Sequence, residues 1–172
     1  TVWFGDREYL PEKDGDIVIP FANEIKTATA VLVDGALATK DIFVHYAESH
    51  TLAANFLCDP QQFRTGSEGT VLIRPSLLCN GYPASLSEVE KPRLTIRFTD
   101  QDGIESIRDF AISKLSDQED IVQKFMVPSR LAKVQFSLIG TIRRLSNGVQ
   151  ISLAANHELA LNQTASSSIA RD

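Results

Sequence analysis

The sequence predicts an all-β protein built from antiparallel sheets, in two small sandwich-like units with little helix. Hydrophobic and polar residues alternate in several runs, most clearly at 93–99, and this period of two is typical of strands with one buried face. Asn-Gly or Asp-Gly pairs separate many of these runs and favour tight hairpin turns. No run keeps a helical period over several turns, so we expect helix to be minor.

The first third of the chain predicts short strands. The runs "VWF" and "REYL" flank Gly5-Asp6, which predicts a small terminal hairpin. Asp59 followed by Pro60 predicts one helical turn, because Asp caps helices and Pro suits their first position. Further strands are expected at 16–21, 29–33, 41–46 and 52–58.

The rest of the chain has the clearer strand pattern. Alternation at 93–99 is repeated at 133–139 and 149–154, and a less regular run ends at Pro128. Asn147-Gly148 and Asn80-Gly81 predict type I′ hairpin turns, in which both central residues take positive φ. Between about 70 and 156 the candidates number roughly seven, which is what a seven-stranded sandwich requires.

A polar segment with two glycines, "RTGSEGT", predicts a boundary near residue 66. We therefore expect a small β domain with hairpins at 1–66, a seven-stranded sandwich at 67–158 and a polar tail or linker at 159–172. Residue 1 is Thr and leads directly into an apolar run, so we expect the chain to be a piece of a longer protein.

Charge and hydrophobicity exclude some classes of partner. The 172 residues carry a formal net charge of −5 with no basic stripe, which argues against nucleic-acid binding. No apolar run approaches the roughly 20 residues of a membrane-spanning helix.

The segment "FTDQDGIES" partly matches a calcium loop. Asp100, Asp102 and Gly103 fit the start of the pattern, but its third ligand position is missing and Glu105 comes too early to be the closing glutamate. Because Asp and Gly are also typical of tight turns, we interpret the segment as a turn between two strands.

The segment "HYAESH" partly matches a zinc motif. His45 and His50 are five residues apart, so they would diverge by about 140° on a helix and lie on opposite faces of a strand. Neither arrangement brings them together with Glu48, and we do not predict a metal site.

No other segment predicts chemistry. Nucleophile elbows, phosphate-binding glycine loops and C-x-x-C pairs are missing from the sequence, and we interpret Asp117, Glu119 and Asp120 as a solvated turn. Trp3, Phe4 and Tyr9 are expected to pack in a core rather than to form a sugar platform. We therefore predict no catalytic, cofactor-binding or metal-binding residue and no cofactor.

Cys58 and Cys79 lie in separate apolar runs, on either side of the predicted boundary. A single pair does not define a disulfide framework, and we predict that the two thiols are not joined. Asn162 begins an Asn-Gln-Thr glycosylation triplet, a pattern that is common by chance.

The segments "RPSLLCNG", "TDQDG", "IVQKFMVPSRL" and "AKVQFSLIGTI" give residues 70–155 a family likeness. The region resembles the macroglobulin-type Ig-like domains of very large surface proteins. The resemblance implies a β-sandwich that spaces or docks other domains, at the cell surface or outside the cell, although the cytoplasm stays open. The thioester run of that group, C-G-E-Q, is absent, so no functional residue transfers.

The predicted function is a non-catalytic module of a larger protein, acting as a structural spacer or a protein-interaction domain. Its expected partners are other domains of the parent protein or another protein. One alternative is a sandwich that binds calcium or carbohydrate, and another is the accessory domain of an enzyme. Fold alone does not decide among them.

Overall fold

The computed structural model describes residues 1–161 and groups the chain into two compact units. Unit 1 combines Thr1–Ser49 with Arg143–Gln150, and unit 2 combines His50–Ile142 with the residues from Ile151 onward. Helix within the described residues is limited to two 3₁₀ turns, Pro60–Gln62 and Leu86–Glu88. The all-β, antiparallel prediction is confirmed, and so is the helical turn capped by Asp59.

Unit 1 contains one four-stranded antiparallel sheet, the first sheet. Its strands in order across the sheet are β2, β1, β3 and β4. The predicted terminal hairpin is confirmed, since Phe4 pairs with Arg7 around Gly5. The bounds are β1 Val2–Phe4, β2 Arg7–Tyr9, β3 Lys26–Asp34 and β4 Leu37–His45.

The strand predicted at 16–21 is wrong. Residues 16–21 take no regular secondary structure. Pro20 has no N–H to donate to a ladder, and its carbonyl instead accepts a hydrogen bond from His45 Nε2 at 2.7 Å. The segment then leads into an isolated parallel bridge between Ala22 and Ala47.

The aromatic residues of the hairpin divide between the two faces of the first sheet. The centroid of the Phe4 ring lies 6.4 Å from that of Tyr9 and 5.5 Å from that of Phe43, and Phe4 and Tyr9 are both half-buried. Trp3 is 47% exposed, so its expected burial is wrong. Since side chains alternate along a strand, Trp3 points to the face opposite the one on which Phe4 packs with Tyr9 and Phe43.

Unit 2 is a sandwich of two antiparallel sheets. The second sheet has the order β10-β6-β5, with β7 also paired to β6, and the third sheet has the order β12-β11-β8-β9. The expected sandwich is therefore present in unit 2, whereas unit 1 has a single sheet. The bounds are β5 His50–Cys58, β6 Glu68–Cys79, β7 Tyr82–Ala84, β8 Glu90–Asp100, β9 Glu105–Ala111, β10 Ile121–Met126, β11 Leu131–Arg143 and β12 Gln150–Ala160.

The core of unit 2 contains the two best alternating runs. β8 and β11 are neighbours in the third sheet, and their apolar residues pair directly across the ladder. All of these side chains are at most 1% exposed and join one cluster with residues of the second sheet. The two runs contribute to this core through the pairs Leu94–Leu138, Ile96–Phe136 and Phe98–Val134.

The units of the structure do not coincide with the predicted domains. β5 pairs with β6 along all nine of its residues, so a break near residue 66 would separate two paired strands. β12 continues to Ala160, beyond the predicted start of the tail at residue 159. Residues 162–172, including Asn162, lie outside the described part. The independent folding of the predicted domains stays a prediction.

The two Asn-Gly turns differ. Asn80 and Gly81 both have positive φ, 51° and 86°, so the predicted type I′ geometry joins β6 to β7. At Asn147-Gly148 only the glycine has positive φ, 70°, and the connection runs from residue 144 to 149. The tight turn predicted there is wrong, because the buried carboxylate of Glu48 accepts hydrogen bonds from two N–H groups of that connection.

Candidate functional site

The carboxylates of the calcium-like segment have partners within the protein. Asp100 Oδ1 accepts hydrogen bonds from the N–H groups of Asp102 and Ile104 at 2.9 and 2.8 Å. Both carboxylate oxygens of Asp102 accept from the Arg130 guanidinium, at 2.6 and 3.0 Å. The segment connects β8 to β9 as the predicted hairpin turn.

We expect Asp102→Asn to change the free energy of unfolding by less than about 1 kcal/mol, because its ion pair with Arg130 is exposed. Calcium should leave the melting temperature of the wild type unchanged. Thermal melts of both proteins with calcium and with chelator check this. A calcium-dependent rise that Asp102→Asn abolishes would show that the turn is a metal site.

The residues of the zinc-like segment serve separate structural contacts. The His45 ring lies edge-on to Phe4, with centroids 4.9 Å apart. Glu48 is 4% exposed and accepts hydrogen bonds from the N–H groups of Leu145 and Ser146 at 2.9 and 2.7 Å. His50 is the first residue of β5, in unit 2.

The acidic segment before β10 also makes specific contacts. Asp117 accepts hydrogen bonds from Ser85 Oγ and from the Leu86 N–H, which fastens the start of the second 3₁₀ turn. Asp120 pairs with Arg74 at 2.7 and 2.8 Å, and this hydrogen-bonded pairing lowers the pKa of Asp120. These carboxylates thus hold the loop to neighbouring elements.

Cys58 and Cys79 are not joined, as predicted. β5 and β6 are antiparallel, and Cys79 pairs with His50 while Cys58 pairs with Val71. The cysteines therefore lie near opposite ends of a nine-residue ladder, about 27 Å apart, whereas a disulfide needs Cα atoms within roughly 7 Å. Burial and the nearby Asp59 raise the pKa of the Cys58 thiol.

The strongest candidate for a functional surface is the free edge of β5. This strand ends the second sheet, so the N–H and C=O groups on its outer side have no neighbouring strand in that sheet. Most edge strands carry charges or proline, which discourage pairing with other chains. Among the edge strands within residues 1–161, β5 alone contains no Lys, Arg, Asp, Glu or Pro.

A groove of about 340 Å³ lies along this edge. His157, from β12, stacks on Phe56 with ring centroids 5.7 Å apart and nearly parallel planes. Leu57, on the outer face, is 62% exposed. The groove combines an aromatic floor with an open strand edge, and it is lined by Ala54, Asn55, Phe56, Leu57, Arg74 and His157.

Sequence reasoning missed this surface. It predicted a strand at 52–58, but it did not show which strands end a sheet. The absence of charge and proline over nine residues was the available signal. Within the described residues, no helix is long and apolar enough to cross a membrane.

Comparison with known proteins finds one matching domain family and a relative of low sequence identity. Residues 59–167, more than half of the chain, match the model of the AbpF third immunoglobulin-like domain. Actin-binding protein F of Dictyostelium discoideum is 24% identical over 158 residues, covering 85% of this chain. The chain corresponds to 6% of the length of that relative. No solved structure matches significantly.

The family match confirms the Ig-like part of the resemblance seen in the sequence. The macroglobulin-type subgroup has no such support and stays a prediction. The matched region runs from the residue after β5 through β12 and so covers the greater part of the unit 2 sandwich. The chain therefore belongs to the AbpF third immunoglobulin-like domain family.

Proposed function

We propose that the chain is a non-catalytic Ig-like module of a larger protein and binds a protein partner through the free edge of β5. The observation that carries this is the open edge of β5, which has no charged side chain and no proline over residues 51–58. Such an edge offers a row of backbone donors and acceptors to an extended segment of another protein.

The two faces of the sheet at this edge would contact different side chains of the incoming strand. An incoming strand presents alternate residues to opposite faces of the enlarged sheet. One set would contact Phe56 and His157 on the inner side of the groove, and the other would contact Leu57 and Arg74 on its outer side. Backbone hydrogen bonds would supply affinity, and these two rows of contacts would supply selectivity.

The similar protein in Dictyostelium is named for actin binding. We therefore propose that the parent of this chain is associated with actin and lies inside the cell, in place of the surface location expected from the sequence. Filamentous actin is the first partner to test. Other domains of the parent protein are the second, since the chain covers only 6% of the length of that relative.

Sedimentation with filamentous actin tests the proposal. We expect the wild-type chain to pellet in a saturable manner and Leu57→Lys to weaken this at least about fivefold, because a lysine beside the edge opposes strand addition. Val122→Lys is the matched control. Val122 lies on the opposite edge strand of the same sheet, pairs with the same residue, Leu72, and is 60% exposed against 62% for Leu57.

Equal losses in both variants would show that the edge of β5 is not the binding surface. Failure of the wild type to pellet would remove actin as a direct partner. The same variants would then be tested against the neighbouring domains of the parent protein. If these also fail to bind, the structural spacer replaces the interaction domain.

The alternatives in calcium binding and enzyme chemistry have weaker support. The carboxylates of the calcium-like turn are occupied by backbone N–H groups and by Arg130. Asp117 and Asp120 are likewise committed to structural contacts. The exposed edge of β5 takes no part in these contacts, so it is the stronger candidate for a binding surface.

A further inference from the structure

A second surface lies in unit 1, at the end of the first sheet where β4 finishes. It is a pocket of about 600 Å³. Its wall is mostly polar and includes side chains from β2, from β3 and from the segment before β3. The lining residues are Arg7, Phe21, Ala22, Asn23, Glu24, Lys26, His45 and Ser146.

The pocket has two cationic side chains against one carboxylate, that of Glu24. Lys26 pairs with His45 across β3 and β4, so both side chains project from the same face of the sheet. Within the described residues, neither Arg7 nor Lys26 forms an ion pair. Their charges are therefore available to an anionic ligand.

Two polar atoms in the pocket residues are buried without a hydrogen-bond partner: His45 Nδ1 and Ser146 Oγ. His45 Nε2 donates to the Pro20 carbonyl at 2.7 Å, so in the neutral ring Nδ1 is the acceptor. The Ser146 hydroxyl can donate. Because neither atom is accessible to solvent, a ligand in the pocket would instead contact the exposed side chains of Arg7 and Lys26.

We propose that this pocket binds an acidic segment of a polypeptide. Side-chain carboxylates would accept hydrogen bonds from the exposed side chains of Arg7 and Lys26. Phe21, 43% exposed, provides an apolar wall for the aliphatic part of the segment. A simple inorganic anion such as chloride would leave most of this volume empty and the Phe21 ring uncontacted. The volume lies in the range of about 300–1,000 Å³ typical of ligand pockets.

Fluorescence anisotropy of a labelled, capped glutamate oligopeptide tests this on the full chain. We expect saturable binding, and weak or no binding of the matched glutamine oligopeptide. The formal net charge of −5 opposes non-specific attraction of an acidic peptide, so binding would report a local site. Lys26→Gln and Arg7→Gln should each weaken binding about tenfold, whereas Glu24→Gln should strengthen it.

Lys40→Gln is the matched control, because Lys40 is also exposed in the first sheet but lies on the opposite face from Lys26. It should leave binding within about twofold, as should Leu57→Lys in unit 2, since this site is independent of the β5 edge. Equal weakening by Lys26→Gln and Lys40→Gln, or equal affinity for both peptides, would overturn the proposal. If inorganic phosphate bound with the same affinity as the glutamate peptide, an acidic polypeptide would be ruled out as the ligand class.

Discussion

Replacing Phe136 by alanine is expected to lower the free energy of unfolding by about 3–5 kcal/mol. Phe136 is fully buried in β11 of the third sheet. Its ring packs against those of Phe56 and Phe125, with centroids 6.0 and 5.9 Å away. Phe56 and Phe125 belong to β5 and β10, the two outer strands of the second sheet. The substitution would thus leave a cavity where both edges of the second sheet meet the third, and the loss would be a large fraction of a typical domain's stability.

Urea denaturation followed by circular dichroism measures this loss. Tyr82→Ala is the control, because it also removes an aromatic ring from a strand of unit 2 but from a position that is 77% exposed. Its cost should stay below about 1 kcal/mol. A Phe136→Ala loss no larger than the control loss would mean that the two sheets do not pack through this ring.

The burial of β8 and β11 could be predicted because alternation is a local property of the sequence. Leu94 and Phe136 both occur in runs where every second residue is apolar, and both are fully buried. Alternation does not show which strands pair, however. That β8 and β11 lie side by side in one sheet depends on contacts between distant segments.

Turn chemistry was a good guide only where no distant side chain intervened. Asn80 and Gly81 adopt the expected positive φ values. Asn147-Gly148 does not form the same turn, because Glu48, 98 residues before Ser146, accepts hydrogen bonds from the preceding backbone. The same limit applies to residues 16–21, where the His45 side chain donates a hydrogen bond to the carbonyl of Pro20.

The candidate sites depend still more on long-range structure. The strand at 52–58 was predicted, but its free edge follows from the order of strands in the second sheet. The predicted boundary at 66 failed to coincide with the units of the structure for the same reason, since β5 pairs with β6. In unit 1, Arg7, Lys26 and Ser146 are far apart in the sequence, and only the fold brings them to one pocket.

Replacing Gly140 by alanine adds only one methyl group, but it should lower the free energy of unfolding by about 1–3 kcal/mol. Gly140 is buried in β11, where the pairing with β8 shifts register between Ile139 and Thr141. A Cβ added there would overlap the Cγ1 atom of Val89. Val89 is 5% exposed, and its N–H is bonded to the Leu86 carbonyl, so the residue has little freedom to move.

A double-mutant cycle tests this cause directly. Val89→Ala removes the overlapping atom, so Gly140→Ala should cost less than about 1 kcal/mol in that background, giving a coupling between the two positions. Urea denaturation of the wild type, both single variants and the double variant supplies the four free energies. If Gly140→Ala costs the same with and without the Val89 side chain, the glycine is required for the irregular backbone of β11 itself and not for the close approach of Val89.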